Sequence, residues 1–368
     1  MEKNHSRITK LDGIRGILSV VVALNHSYLV LAIPTYANVW KQNPFSFHDL
    51  QSKIQYLLML LGNGGAAVTM FFLLSGFVIS LSMEKFQFSL SNYFTFLLKR
   101  LVRLYPVYLF IVTVISIFVW LGVDYRVFAG ASTWYHWWMN FKLDFVEFLK
   151  NATFIHINLG GVTWTLRVIL LATPIMPFLY LFSKKLNWFS SLLITSVLVY
   201  ASFTYLNFTN FRDFRYLYMF FLGMSLPKFQ TLFHKSNPSI FFLISPVLLY
   251  FVFVIRYQTN EYLGGVYESI ASFILLGTIL YQSKVKIFDF LDNRFFVYLG
   301  RISYSLYLVH FSVLYVLARV MFIVLPSLNY SSNYLSLHTL LFVVSLCLTI
   351  PLSHLLNKYI EIPPVTFF

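Results

Sequence analysis

The chain is poor in what a water-facing surface needs. Only 11% of its 368 residues are charged, against about 25% in an ordinary soluble domain. That shortage excludes a soluble enzyme, whose exterior could not be covered, and a disordered chain, which needs low hydrophobicity and high charge. Cysteine occurs once, at Cys347. A single thiol closes no internal disulfide, so a disulfide-stapled secreted domain is excluded and the redox compartment is left unmarked. Asp and Glu total 13, and almost none falls deep in an apolar run, which argues against a carboxylate-driven ion pump. Walker-type phosphate loops, Gly-x-Ser-x-Gly elbows and dinucleotide fingerprints are missing. The nine His residues form no His-x-x-x-His or His-x-x-Glu-His pair, so local spacing indicates no metal. With no fixed-period repeat, Pro/Gly-rich linker or low-complexity tract, residues 1–368 read as a single domain without a fused soluble one.

What is abundant is apolar and aromatic: 58% hydrophobic and 20% aromatic residues, 41 of them Phe. A helix needs roughly 20 apolar residues to cross a bilayer. Candidate runs lie near 13–33, 65–83, 104–122, 162–183, 188–206, 214–229, 239–256, 264–282, 297–325 and 335–357. A transmembrane barrel would alternate strictly, whereas stretches such as Leu109 to Leu121 are continuous. The expectation is an all-α polytopic membrane protein of ten spans.

A net charge of +14 would suggest nucleic acid in a soluble protein. Here the cations sit in short loops, so the balance reads as topology and no nucleic-acid partner is expected. Lys3, Arg7, Lys10, Lys85, Lys99, Arg100, Arg103, Lys184, Lys185 and Lys358 fall on the side of the termini. Fewer, including Lys41, Lys53, Arg126 and Arg256, fall opposite. Both termini are therefore expected to be cytoplasmic. The basic start also fits a cleaved leader, but Arg15, Asn25 and His26 interrupt the run and no small-x-small site follows, so 13–33 reads as a retained helix. Trp134, Tyr135, Trp137 and Trp138 fit an interfacial belt better than a platform stacking on a sugar.

Ionisable groups inside a bilayer are costly and therefore informative. Arg15 and His26, eleven positions apart, are separated by roughly 16 Å and close to three helical turns. Asp12 and Ser19 share their face. Such a stripe should line a bundle interior; the structural alternatives are a cytoplasmic anchor for Arg15 and a hydrogen-bonded histidine for His26. Arg100 and Arg103 share a helix face at a cytoplasmic mouth, suited to bidentate phosphate binding or to ordinary positive-inside decoration. Gly300, Ser303, Tyr307 and His310 form a small-and-polar stripe that close helix packing alone would explain. Arg167, after Trp164, fits a snorkelling cation.

These pieces together resemble the acyltransferase 3 family of integral membrane acyltransferases over nearly the whole chain, from about Lys10 to Glu361. The resemblance rests on Leu11-Asp12-Gly13-Ile14-Arg15-Gly16 with His26 and on Phe71-Phe72-Leu73-Leu74-Ser75-Gly76-Phe77. It rests further on Arg100-x-x-Arg103 leading into Tyr105-Pro106-x-Tyr108, on Leu299 to Tyr307 with His310, and on Glu361-x-Pro363. One position departs: where the family has Trp-Ser/Thr-Leu-x-x-Glu, Trp164-Thr165-Leu166 is followed by Ile169 at the Glu position.

The resemblance implies transfer of an acyl group, most often acetyl, from acyl-CoA as donor to a hydroxyl of a cell-envelope carbohydrate or lipid-linked saccharide, in a bacterial inner membrane and without a metal. On that reading His26 and Arg15 are catalytic, with His26 as general base or transient acyl carrier. Arg100 and Arg103 bind the donor, Tyr307 and His310 are candidates for the acceptor side, and Asp12 and Trp164 are substrate or supporting residues. The partners are then the carbohydrate or glycolipid acceptor and the bilayer, with a homo-oligomer admissible. A transporter or flippase is the alternative class, disfavoured because no broken helix or repeat symmetry is evident. A relative impaired by Ile169 is the third.

Overall fold

A computed structural model of the chain describes residues 9–32, 46–122, 126–138, 142–204, 212–255, 259–282, 284–330 and 332–363. Of the residues used in the topology argument, Lys3, Arg7, Lys41 and Arg256 lie outside these ranges.

The described residues are helical apart from turns and one isolated antiparallel bridge, Leu31 with Ala131. In chain order the α-helices are α1 Thr9–Tyr28, α2 Leu50–Leu61, α3 Gly64–Ser82, α4 Leu90–Trp120, α5 Thr133–Trp137, α6 Phe145–Ala152, α7 Thr163–Ala172 and α8 Met176–Lys184. They continue with α9 Trp188–Thr204, α10 Leu217–Ser225, α11 Gln230–Lys235, α12 Pro238–Phe253, α13 Glu261–Tyr281, α14 Arg294–Arg301, α15 Ser303–Val324 and α16 Tyr334–Leu356. A π-helical turn, Asn357–Glu361, continues α16. Helix starts follow local chemistry: Asp49, Ser89 and Asp144 each accept from a backbone N–H three residues on, satisfying a donor that the first turn leaves orphaned.

Each expected span contains a helix, but only five stretches among the described residues are long and apolar enough to cross a membrane, or six if α7 and α8 count as one. The reasons are physical. α1 has the length, yet Lys10, Asp12 and Arg15 lower its hydropathy. α9, α10 and α12 have 17, 9 and 16 residues, short of the roughly 20 a bilayer requires. Two boundaries move. The expected 104–122 span is part of the 31-residue α4, so Arg100 and Arg103 sit within a helix. The apolar stretch before α3 also reaches back through α2, making a 33-residue candidate from Leu50 to Ser82. The expectation of no broken helix is corrected as well. The 162–183 run is interrupted between Ala172 and Met176, where Pro174 lacks the N–H that would continue the ladder.

The chain forms two compact units. The first comprises residues 1–20, 65–87 and 175–303. In it the start of α1 is tied down by Lys10 Nζ, 2.6 Å from Asp289, and by a hydrogen bond from Thr9 to Asp292. α1 and α14 pack backbone to backbone: a Cβ at Gly16 would come within 2.7 Å of Leu299, and one at Gly300 would overlap the Asp12 carbonyl. The first unit also holds Glu268, fully buried on α13 and accepting from Thr69 Oγ1 at 3.3 Å. It is an exception to the scarcity of carboxylates inside spans.

The second unit comprises residues 21–64, 88–174 and 304–368. Its core is built on α4, α7, α15 and α16, with Val107, Tyr108, Val112, Leu166, Leu308, Phe311 and Tyr334 buried together. The segment between α4 and α7 folds back onto this core. Trp120 Nε1 donates to the Leu143 carbonyl at 3.0 Å and the Tyr108 hydroxyl to that of Asn151 at 2.5 Å.

Candidate active site

The second unit brings two helix-borne histidines into contact. His26 leaves the last turn of α1 and His310 the second turn of α15. His26 Nδ1 and His310 Nε2 are 2.9 Å apart, and the rings lie nearly parallel, with centroids at 5.2 Å and an interplanar angle of 13°.

Hydrogen-bond logic assigns the protons. His310 Nδ1 is 3.2 Å from the Leu306 carbonyl, and a carbonyl only accepts, so Nδ1 carries the hydrogen. In a neutral imidazole the other nitrogen is then an acceptor. His310 Nε2 must therefore receive the bond from His26 Nδ1–H, which leaves the lone pair of His26 on Nε2. A chain from backbone carbonyl through His310 to His26 thus fixes which nitrogen can take a proton or attack a carbonyl, as an orienting partner does for a catalytic histidine generally.

Aromatic rings enclose the pair. Trp134 of α5 stacks on His26 with centroids at 5.4 Å and 27° between planes, and Phe311 meets it edge-on at 6.0 Å. This corrects the belt reading of the aromatic segment. Only Trp137, 71% exposed, suits a belt. Tyr135 is buried, while Trp134 and Trp138 both pack on Phe311. Trp138 is the C-cap of α5, four residues after Trp134, and the two rings meet edge-on at 6.1 Å.

The other expected residues distribute as follows. Tyr307 packs edge-on to His310 at 5.9 Å, and its hydroxyl is hydrogen-bonded to Thr165 Oγ1 at 3.0 Å. Trp164, the preceding residue on α7, is partly buried. The Gly300–His310 stripe is split by a turn at Ile302, so Gly300 belongs to α14 and the other three to α15. In the first unit Arg15 Nη1 is 3.6 Å from Asp12 Oδ1, with Asp12 buried and Arg15 a quarter exposed. Ser19 Oγ lies 2.9 Å from the Arg15 carbonyl and 3.2 Å from that of Ser303. Asp12 is therefore an ion-pair partner of Arg15.

Arg100 and Arg103 are not equivalent. Arg100 is partly buried, with its guanidinium 5.7 Å from the Phe96 ring centroid. Its Nε is buried without a hydrogen-bond partner among the described residues. Arg103 is exposed and within electrostatic reach of Glu361. That carboxylate accepts from Ser305 Oγ at 2.8 Å and Asn357 Nδ2 at 2.9 Å. A guanidinium with an unused buried donor beside a second cation fits an anionic phosphate. Arg167 is partly buried and within electrostatic reach of Tyr108, so it faces the core instead of snorkelling.

A family model described as an acyltransferase domain matches residues 8–358. The chain belongs to the acyltransferase 3 family. It is an integral membrane protein of apolar helices and an acyltransferase. Neither a curated protein nor a solved structure matches it. In this acyltransferase Ile169 lies on α7, partly buried. Sequence reading missed Glu361 as the acceptor for Ser305 and Asn357, Trp134 as a ring on His26, and a further buried histidine, His338. His338 Nε2 is 2.9 Å from Ser27 Oγ. Its position inside the apolar run 335–357 was a signal of the same kind that singled out His26 and His310.

Proposed function

We propose that this acyltransferase moves an acyl group, acetyl first among them, from acyl-CoA to a hydroxyl of a cell-envelope carbohydrate or its lipid-linked precursor. The observation that carries the reading is the proton chain from the Leu306 carbonyl through His310 to His26, which leaves His26 Nε2 as a base. His26 Nε2 takes the proton of the acceptor hydroxyl as its oxygen attacks the thioester carbonyl. The carbon–sulfur bond then breaks, and the thiolate takes the proton held by His26. One ester forms, one thiol leaves, and the imidazole returns to its starting form. A positioned base of this kind contributes typically 10²–10⁴-fold.

Arg100 and Arg103 are assigned to the donor phosphates. Arg15 is assigned to the thioester arm on the strength of its place on the His26 stripe, with Asp12 orienting it. Tyr307 and Trp164 are assigned to the acceptor side. The reading keeps ten membrane crossings, both termini and the donor on the cytoplasmic side, and a bacterial inner membrane.

The test is thioester consumption with transfer to a glycan acceptor by purified protein in detergent, alongside mass spectrometry of envelope glycans with and without the gene. Arg100→Ala and Arg103→Ala should raise the donor KM more than the acceptor KM; a change in the acceptor alone contradicts the donor assignment. Ile169→Glu should raise turnover if the missing carboxylate limits it, whereas a loss means that the site has adapted to Ile.

The interruption of the helix at Pro174 is the one feature favouring a transporter or flippase, since such breaks recur in transporters. Substrate accumulation in vesicles without thioester consumption would decide for it.

A further inference from the structure

A small cavity lies in the second unit, with Phe311 in its wall and room for about one water-sized group. Its walls are apolar: Ile111, Val112 and Ile115 of α4, Leu159 and Val162 before α7, and Leu308 of α15. Three of the four polar side chains on its edge already donate to the protein. The Tyr108 hydroxyl donates to the Asn151 carbonyl, Asn151 Nδ2 donates to the Glu147 carbonyl at 3.0 Å, and Thr163 Oγ1 donates to the Gly160 carbonyl at 2.8 Å. Ser312 adds a hydroxyl whose oxygen is buried without a partner among the described residues. Most of the wall is therefore apolar, with the Ser312 hydroxyl as its polar group unpartnered among the described residues, and a wall of this kind can pack against methyl or methylene groups.

Phe311 is both a wall of this cavity and the ring that meets His26 edge-on at 6.0 Å. It is 1% exposed and pinned by Trp134 at 5.8 Å and Trp138 at 5.4 Å. Gly161 yields it space, since a Cβ there would come within 2.7 Å of the Phe311 ring. One fixed aromatic ring therefore separates the proton-accepting histidine from an apolar chamber. A thioester carbonyl held at His26 would direct a short acyl tail onto that ring.

We infer that Phe311 sets the chain length of the transferred acyl group: it stops the tail at acetyl, and the chamber behind it is a latent subsite for longer saturated acyl chains. The inference rests on the acyl-CoA reading above. The transfer step is unchanged; the same carbon–sulfur bond breaks and the same ester forms, and only the tail differs.

The experiment compares initial rates of consumption of acetyl-, butyryl- and hexanoyl-CoA by the purified full chain and by Phe311→Leu and Phe311→Ala. The unsubstituted protein should prefer acetyl. Phe311→Ala should raise the butyryl-to-acetyl ratio by roughly tenfold, the worth of two further methylenes removed from water. Phe311→Leu, which keeps an apolar core side chain, should raise it in the same direction, and adding Val112→Phe on the opposite wall should reverse the gain. A ratio unmoved in the folded variants, or a parent that takes butyryl as readily as acetyl, overturns the inference and leaves the acyl-CoA reading standing. Consumption of none of the three thioesters by the parent overturns both.

Discussion

Two paired histidines in this acyltransferase differ in what pairs them. His26 meets another imidazole, His310, at 2.9 Å amid Trp134 and Phe311. His156, in the segment between α6 and α7, meets the Glu147 carboxylate at 2.6 Å. Glu147 also accepts from Asn158 at 3.0 Å and from Asn151 at 3.2 Å, with Lys150 at 3.9 Å. A carboxylate partner makes a charge-assisted hydrogen bond that ties a loop to its helix. An imidazole partner bound in turn to a backbone carbonyl brings no carboxylate charge; it sets a tautomer and leaves a lone pair free to react. The same residue type thus serves structure in one place and fits chemistry in the other, and the partner decides which.

The comparison breaks most visibly at turnover. His26→Ala should cut thioester turnover by about 10²–10⁴-fold, whereas His156→Ala should leave it within a few-fold. Similar losses in both, measured on protein of equal thermal stability, would erase the distinction. His310→Ala should cost up to about tenfold, the worth of one orienting hydrogen bond. His310→Gln, whose amide oxygen can still accept from His26 Nδ1–H, should recover part of it; equal loss in the two variants would refute the tautomer assignment. Thr165→Val, which leaves Tyr307 without its 3.0 Å partner, should lower turnover by only a few-fold, read as an acceptor KM effect.

The smallest effect belongs to the outer pair and appears in stability against pH. Burial by itself would raise the Glu147 carboxyl, but hydrogen bonds from His156 and Asn158, with His156 and Lys150 alongside, outweigh it and hold the group below its ordinary value of 4.5. A carboxyl depressed by folding stabilises the protein fully above its unfolded value, and that contribution is lost as pH falls through the folded value. The melting temperature of the parent should fall more steeply than that of Glu147→Gln on acidifying from pH 6 to about pH 3. Parallel profiles would show that the pair carries no pH-dependent stability.

Much of this was legible in one dimension. The apolar runs marked the helices because backbone polar groups in hydrocarbon must be satisfied within the segment. His26 and His310 stood out because ionisable groups are rare there. The legibility failed where distance along the chain hides proximity. Trp134 looked like belt decoration, and nothing local says that α5 folds back to lay it on His26. Phe311 looked like one of 41 Phe residues. Span counting is bounded for a different reason: α9 and α12 are apolar but short, and α1 is long but charged, so hydropathy alone does not settle how each meets the bilayer.

Composition and order of residues determined that the chain is helical, apolar and built on the acyltransferase 3 pattern, since these follow from solvation and from motifs contiguous in sequence. Tertiary structure alone decided that His310 faces His26, that the Leu306 carbonyl fixes their protons, and that Phe311 stands between them and an apolar chamber. Those depend on side chains brought within a few ångströms across hundreds of residues, and a hydrogen bond or a van der Waals wall exists only at that range.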